Sequence, residues 1–290
     1  MLDVAGHNVG FVQSFSGLNY EAVIAENAMG QDLHVKKHVA TIKPTEAKVK
    51  MGIGLGKGMY EWIRLAFMKK FEHRSGAFTA ADFDFKATSI VTFHDALVTS
   101  ITVPKLSGDA KEACYFDITF DAERIEHAPA GGEDLKSKIA TKQKAWLAAN
   151  FKLEIDGMDT KTCGVIESFT WKCSVTRDYQ GSTQWAQITP AAVTVPNIVF
   201  EIGYREHKGW ADWAKEWFVT GNRKDEHEKN GRIVFLGPDQ QEELGEIKLT
   251  HCGLVKLEDG ESKANAESIK RFKVTMYVEE MEFVLKYVDA

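Results

Sequence analysis

The sequence predicts a mainly β fold of the α+β kind: two tandem β-barrel or sandwich domains, each with one flanking α-helix. Three observations predict it. Val, Ile, Thr and Phe alternate with charged residues, as in Arg271-Phe272-Lys273-Val274-Thr275-Met276, the pattern of antiparallel strands with one wet face. Each half carries a single helix signal, too few for a doubly wound sheet. Three blocks of sequence recur in the same order, which marks an internal duplication.

The first block is Gly10-Phe11-Val12-Gln13-Ser14-Phe15-Ser16, matched by Gly164-Val165-Ile166-Glu167-Ser168-Phe169-Thr170 at an offset of 154 (164 − 10). The second sets 52–67 against 203–218 without a gap. Gly52 meets Gly203, Lys57 meets Lys208, Gly58 meets Gly209, Trp62 meets Trp213, Arg64 meets Lys215 and Phe67 meets Phe218. The third sets 115–126 against 271–282. The expected organisation is a first domain at 1–126, a linker with a helix at 127–150, and a second domain at 151–290.

In the first half, strands are expected near 9–16, 37–43 and 47–54, a helix near 58–72, and further strands near 88–93, 97–104 and 113–125. The helix follows from Met59, Trp62, Ile63, Ala66 and Phe67, whose spacing gathers them on one face. In the second half, strands fall near 151–156, 163–175, 185–195 and 197–204, then a helix near 209–221. Strands near 231–236, 244–257 and 268–287 complete it. Between the halves, Ala128-Pro129-Ala130-Gly131-Gly132 reads as a linker, and 133–149 favours helix.

Gly52, Gly54, Gly56 and Gly58 surround Lys57, which raises the question of a phosphate loop. The spacing fits neither G-x-x-x-x-G-K-[ST] nor G-x-G-x-x-G, and no parallel βαβ pattern surrounds it. Gly52, Gly58, Gly203 and Gly209 are therefore read as strand-to-helix corners, and Trp62, Phe67, Trp213 and Phe218 as core anchors of the helices. A nucleotide-binding module using the turn at 52–58 remains the reading from another class. His34-x-x-x-His38 and His251-Cys252 are the only metal-like spacings, and neither has a second ligand pair nearby. No G-x-S-x-G elbow is present. The expectation is a protein that is not an enzyme and holds no cofactor or metal.

The 290 residues, 44% hydrophobic and 27% charged, have the balance of a globular protein. The net charge of −6 gives no nucleic-acid footprint. No apolar run reaches membrane-spanning length, and the first residues lack the pattern of a signal peptide. Cys114, Cys163, Cys173 and Cys252 are scattered, and free thiols are expected.

Each half resembles the tail tube domain of contractile phage tails and related injection systems. The resemblance rests on Gly10–Gly17 and Gly164–Trp171 as entry segments, and on the aromatic helix starts Gly58-Met59-Tyr60-Glu61-Trp62 and Gly209-Trp210-Ala211-Asp212-Trp213. It also rests on the acidic strand ends Ala122-Glu123-Arg124 and Val278-Glu279-Glu280. It implies a structural tube subunit whose sheets join edge to edge in rings, which removes exposed strand edges. Two domains per chain imply trimeric, pseudo-sixfold rings that stack. Implied partners are further copies of the chain, tail sheath, baseplate and tape-measure proteins. The lumen would pass DNA or protein without binding it, and an acidic lining would repel DNA. No membrane insertion is implied. The expected location is a virion tail or injection particle, assembled in the bacterial host cytoplasm. A trimeric baseplate hub or tube-initiator protein is the alternative role.

Overall fold

The computed structural model describes residues 1–27, 34–135, 146–260 and 270–286. The protein is mainly β. The first half runs β1 (Leu2–Val4), β2 (His7–Asn8), β3 (Gly10–Ser16), β4 (Tyr20–Asn27), β5 (Lys36–Pro44) and β6 (Ala47–Leu55) into α1 (Lys57–Phe67). It continues with β7 (Arg74–Ala81), β8 (Ala87–Val103), β9 (Leu106–Ser107), β10 (Phe116–Asp121) and β11 (Arg124–Pro129). The second half runs β12 (Phe151–Ile155), β13 (Cys163–Ile166), β14 (Phe169–Asp178), β15 (Gln187–Thr194) and β16 (Ile198–Gly203). Then come α2 (His207–Ala214), β17 (Lys229–Leu236), β18 (Glu243–Asp259) and β19 (Arg271–Leu285).

The duplication is visible in the topology. Hydrogen bonding orders the first half β1-β7-β8-β10-β6-β3 and the second β12-β17-β18-β19-β16-β13. Every neighbouring pair is antiparallel in both. Even the irregularities recur. The ladder β8·β10 skips Thr99, pairing Val98 with Phe120 and Ser100 with Thr119. The ladder β18·β19 skips Val255, pairing Leu254 with Met276 and Lys256 with Thr275. Bulges are built features of a sheet, so their recurrence fixes the equivalence residue by residue. From β8 to β11 the offset is 156, as the third sequence block implies (256 − 100).

The first block is corrected. Phe15 lies opposite Val49, and Ile166 lies opposite Phe200, so the offset is 151 (166 − 15) and not 154. The same offset runs on through a hairpin, since Asn27 pairs Lys36 where Asp178 pairs Gln187. Strand β4 was not expected from the sequence, and the strands expected at 88–93 and 97–104 are one 17-residue strand, β8.

Helix α1 ends at Phe67, short of the expected 72, and Lys69 has a positive φ of 58°. Helix α2 passes into a π-helical turn, Lys215–Thr220, closed by Gly221 in the left-handed region. The helix expected at 133–149 is not helical where it is described: Asp134 bridges Lys86 and Leu147 bridges Ala113. Residues 136–145 lie outside the described residues. Among the described residues, no helix is long and apolar enough to cross a membrane. One hydrophobic core includes residues from both halves.

Candidate functional site, a seam between the two halves

Strand β8 is long enough to serve two neighbours on each side. Its N-terminal part pairs β7 and β11, and its C-terminal part pairs β10 on one side. The other side is filled from the second half. Phe169, Thr170, Trp171 and Lys172 of β14 pair Val103, Thr102, Ile101 and Ser100. In return β9 pairs β13, with Ser107 opposite Val165.

Side chains reinforce this seam. The hydroxyls of Thr102 and Thr170 stand 2.9 Å apart, and the Ser168 hydroxyl donates to the Val103 carbonyl at 2.9 Å. The Ile188 N–H donates to the Glu123 carboxylate at 2.8 Å, and a ring nitrogen of His73 meets the Ile188 carbonyl at 2.9 Å. Arg177 on β14 donates to Asp121, which is almost wholly buried. Burial raises the Asp121 carboxyl above its ordinary range, and the guanidinium pulls against that shift. Trp171 packs on Phe67 and Phe71, with ring centroids 5.8 and 6.4 Å away. Helix α1 leans across to β19 as well: Arg64 donates to Glu282 at 3.2 Å, and Tyr60 and Phe67 contact Phe283.

The residues singled out from sequence divide. Trp62, Phe67 and Trp213 are 2%, 3% and 7% exposed. Phe218 is 40% exposed, which corrects its reading as a core anchor. Its counterpart Phe67 is covered by Trp171, a residue the second half contributes, and nothing described stands at the corresponding place over Phe218. Gly52 lies within β6, ahead of the corner, and Gly203 is the last residue of β16. The tight points are Gly56 and Gly58: a Cβ there would lie 2.0 Å from the Asn8 carbonyl and 2.6 Å from the Val4 carbonyl. Those contacts give the glycines a packing reason in place of a phosphate loop. Gly209, the counterpart of Gly58, faces open space beside a groove of about 480 Å³ lined by Lys161, Arg205 and Lys208 among others.

The four cysteines are free. Burial pushes the thiols of Cys114, Cys163 and Cys252 up to about 12, which disfavours the thiolate. Glu228, His251 and Glu279 bring ligand atoms within 4.8 Å of one another. Two of them are already engaged: Glu228 accepts from the Tyr277 hydroxyl at 2.6 Å and pairs with His251 at 2.8 Å, which raises the imidazole's pKa.

No protein-family model matches the sequence, and no curated protein matches it. Solved structures do resemble parts of the fold. One is a chain of the PVC sheath-tube complex, an extracellular contractile injection system in its extended state. It shows 13% identity and a TM-score of 0.38, covering 46% of this chain and 88% of that one. Another is a chain of the anti-feeding prophage tube-terminating cap, at 12% identity and 0.41, covering 53% of this chain and 99% of that one. A third is Hcp1 from Flavobacterium johnsoniae, at 17% identity and 0.28, covering 46% of this chain and 93% of that one.

Proposed function

We propose that this chain is a structural tail-tube subunit of a contractile phage tail or phage-like injection system. In this reading residues 1–126 and 151–290 are two tube-like domains joined through 127–150, and the protein acts by assembly rather than by catalysis. One observation carries it: two halves of the same strand order meet head to tail, with β14 of one completing the edge of β8 in the other. A head-to-tail joint uses two different surfaces, so repeating it generates a ring or an open filament. Three chains supply six copies of the unit, a pseudo-sixfold ring that stacks around a channel for DNA or effectors. The net charge of −6 suits a conduit that must not hold nucleic acid. Its partners are further copies of itself and the sheath, baseplate and tape-measure proteins of the particle.

Negative-stain microscopy of the purified protein tests this. Rings or tubes with a central hole are expected. A compact monomer at every concentration overturns the proposal, and single rings that never stack replace the tube role by a baseplate hub or adaptor.

A further inference from the structure

The seam inside the chain has a counterpart that no described strand of the chain fills, and from it we infer the joint between chains. By the offset of 156, Ser100, Ile101 and Thr102 of β8 correspond to Lys256, Leu257 and Glu258 of β18. By the offset of 151, Thr170, Trp171 and Lys172 of β14 correspond to Asn19, Tyr20 and Glu21. In the first half β14 lies on the edge of β8. In the second half β17 pairs β18 only as far as Cys252, and no described strand continues along that side. Meanwhile the hairpin β4·β5 forms a two-stranded sheet of its own. The hairpin is held to its own chain at its base, where the Tyr20 hydroxyl donates to the Ile125 carbonyl, but it belongs to no larger sheet; such a hairpin and an open strand edge complement one another.

We propose that the β4·β5 hairpin of one chain adds to the free β18 edge of the next, with Asn19 beside Glu258, Tyr20 beside Leu257 and Glu21 beside Lys256. The chemistry agrees at the three paired positions. The Thr170–Thr102 contact becomes Asn19 amide to Glu258 carboxylate, a donor meeting an acceptor. Lys172 opposite Ser100 becomes Glu21 opposite Lys256, a pair of opposite charges. Trp171 on Phe67 becomes Tyr20 on Phe218. Tyr20 is 53% exposed, and Phe218 and its neighbour Val219 are the large apolar residues left uncovered on the second helix, Val219 at 78%. Arg64 with Glu282 becomes Lys215 with Glu126. Ile188, held by Glu123, becomes Lys37, facing the acidic pair Glu228 and Glu279. Two contacts change character: the Arg177–Asp121 pair becomes Glu26 and Tyr277, and Gly17 stands in place of Ser168, whose hydroxyl bonds the Val103 carbonyl.

This inference rests on the ring-subunit reading, and the experiment separates the two. Asn19→Cys and Glu258→Cys are introduced together in the full chain, which is oxidised at micromolar concentration and run on a non-reducing gel. Disulfide-linked multimers that reductant collapses are expected, and neither single variant should give them, since the native thiols are common to all. Rings seen by microscopy without a cross-link at this pair overturn the seam while leaving the ring reading intact. A chain that sediments as a monomer throughout overturns both. A charge swap provides the second measurement. Glu21→Lys and Lys256→Glu should each weaken self-association by about tenfold, and the double variant should restore it. Singles that associate like the parent overturn the proposal.

Discussion

Trp171 of the second half lies against Phe67 of the first, ring centroids 5.8 Å apart, and both are sealed from solvent. The contact ties the hairpin strand β14 to helix α1, so it joins the two halves through their cores as well as their backbones.

Trp171→Ala should therefore cost about 3–5 kcal/mol, the range for truncating a buried aromatic. Denaturant unfolding checks this. Because the lost contacts span both halves, the variant should also expose the α1 amides to faster hydrogen exchange than the parent.

The helix anchors should rank by burial. Trp62→Ala and Trp213→Ala should each cost about 3–5 kcal/mol, Trp62 also losing its N–H bond to the Glu72 carbonyl at 3.0 Å. Phe218→Ala, at an exposed position, should stay within about 0.5 kcal/mol in the unassembled chain. Thermal or urea melts of the monomer separate these outcomes.

Arg177→Ala should strand the buried Asp121 and cost about 3–5 kcal/mol at neutral pH. The pH dependence has a definite sign. A carboxyl whose pKa is raised by folding favours the folded state below its unfolded pKa, and that contribution is lost as pH rises through the folded value. Without Arg177 the raise is larger. The stability gap between variant and parent should thus be widest near pH 7 and narrow as pH falls through the raised range in which Asp121 takes up its proton.

Two glycines at the strand-to-helix corners should answer substitution in opposite ways. Gly56→Ala places a Cβ 2.0 Å from the Asn8 carbonyl and forces β2 to move, an overpacking worth about 1–3 kcal/mol of destabilisation. Gly209→Ala, inside α2 with open space around it, should stabilise by about 0.5–1 kcal/mol. Paired melting curves suffice.

The fold class and the repeat were legible because strand alternation and the Trp62 and Trp213 helix faces leave periodic marks. The second and third blocks were also aligned correctly, each being pinned by residues of unusual size or shape. The first block was misplaced by three residues because β3 is bulged at two points, and alternation alone cannot fix register there. Strand β4 went unread because Tyr20–Asn27 is exposed on nearly every residue, so it lacks the in-out pattern that identifies a strand. The exposure of Phe218 is not legible in the sequence, because its burial depends on what lies over it rather than on its own helix. The seam was invisible to sequence for the same reason: nothing in β8 announces that its edge belongs to residues some 70 positions away.

That edge carries a kinetic consequence. Because β14 is tethered to β8, it competes for the edge at an effective concentration on the order of millimolar. A hairpin arriving from another chain at micromolar concentration is outnumbered about a thousandfold. Strand exchange at this seam is suppressed during folding, before chains meet. If the proposed ring of three chains forms, mass action would govern three closures instead of six. Assembly of such a ring would depend on protein concentration to a correspondingly lower order, with fewer kinds of incomplete arc.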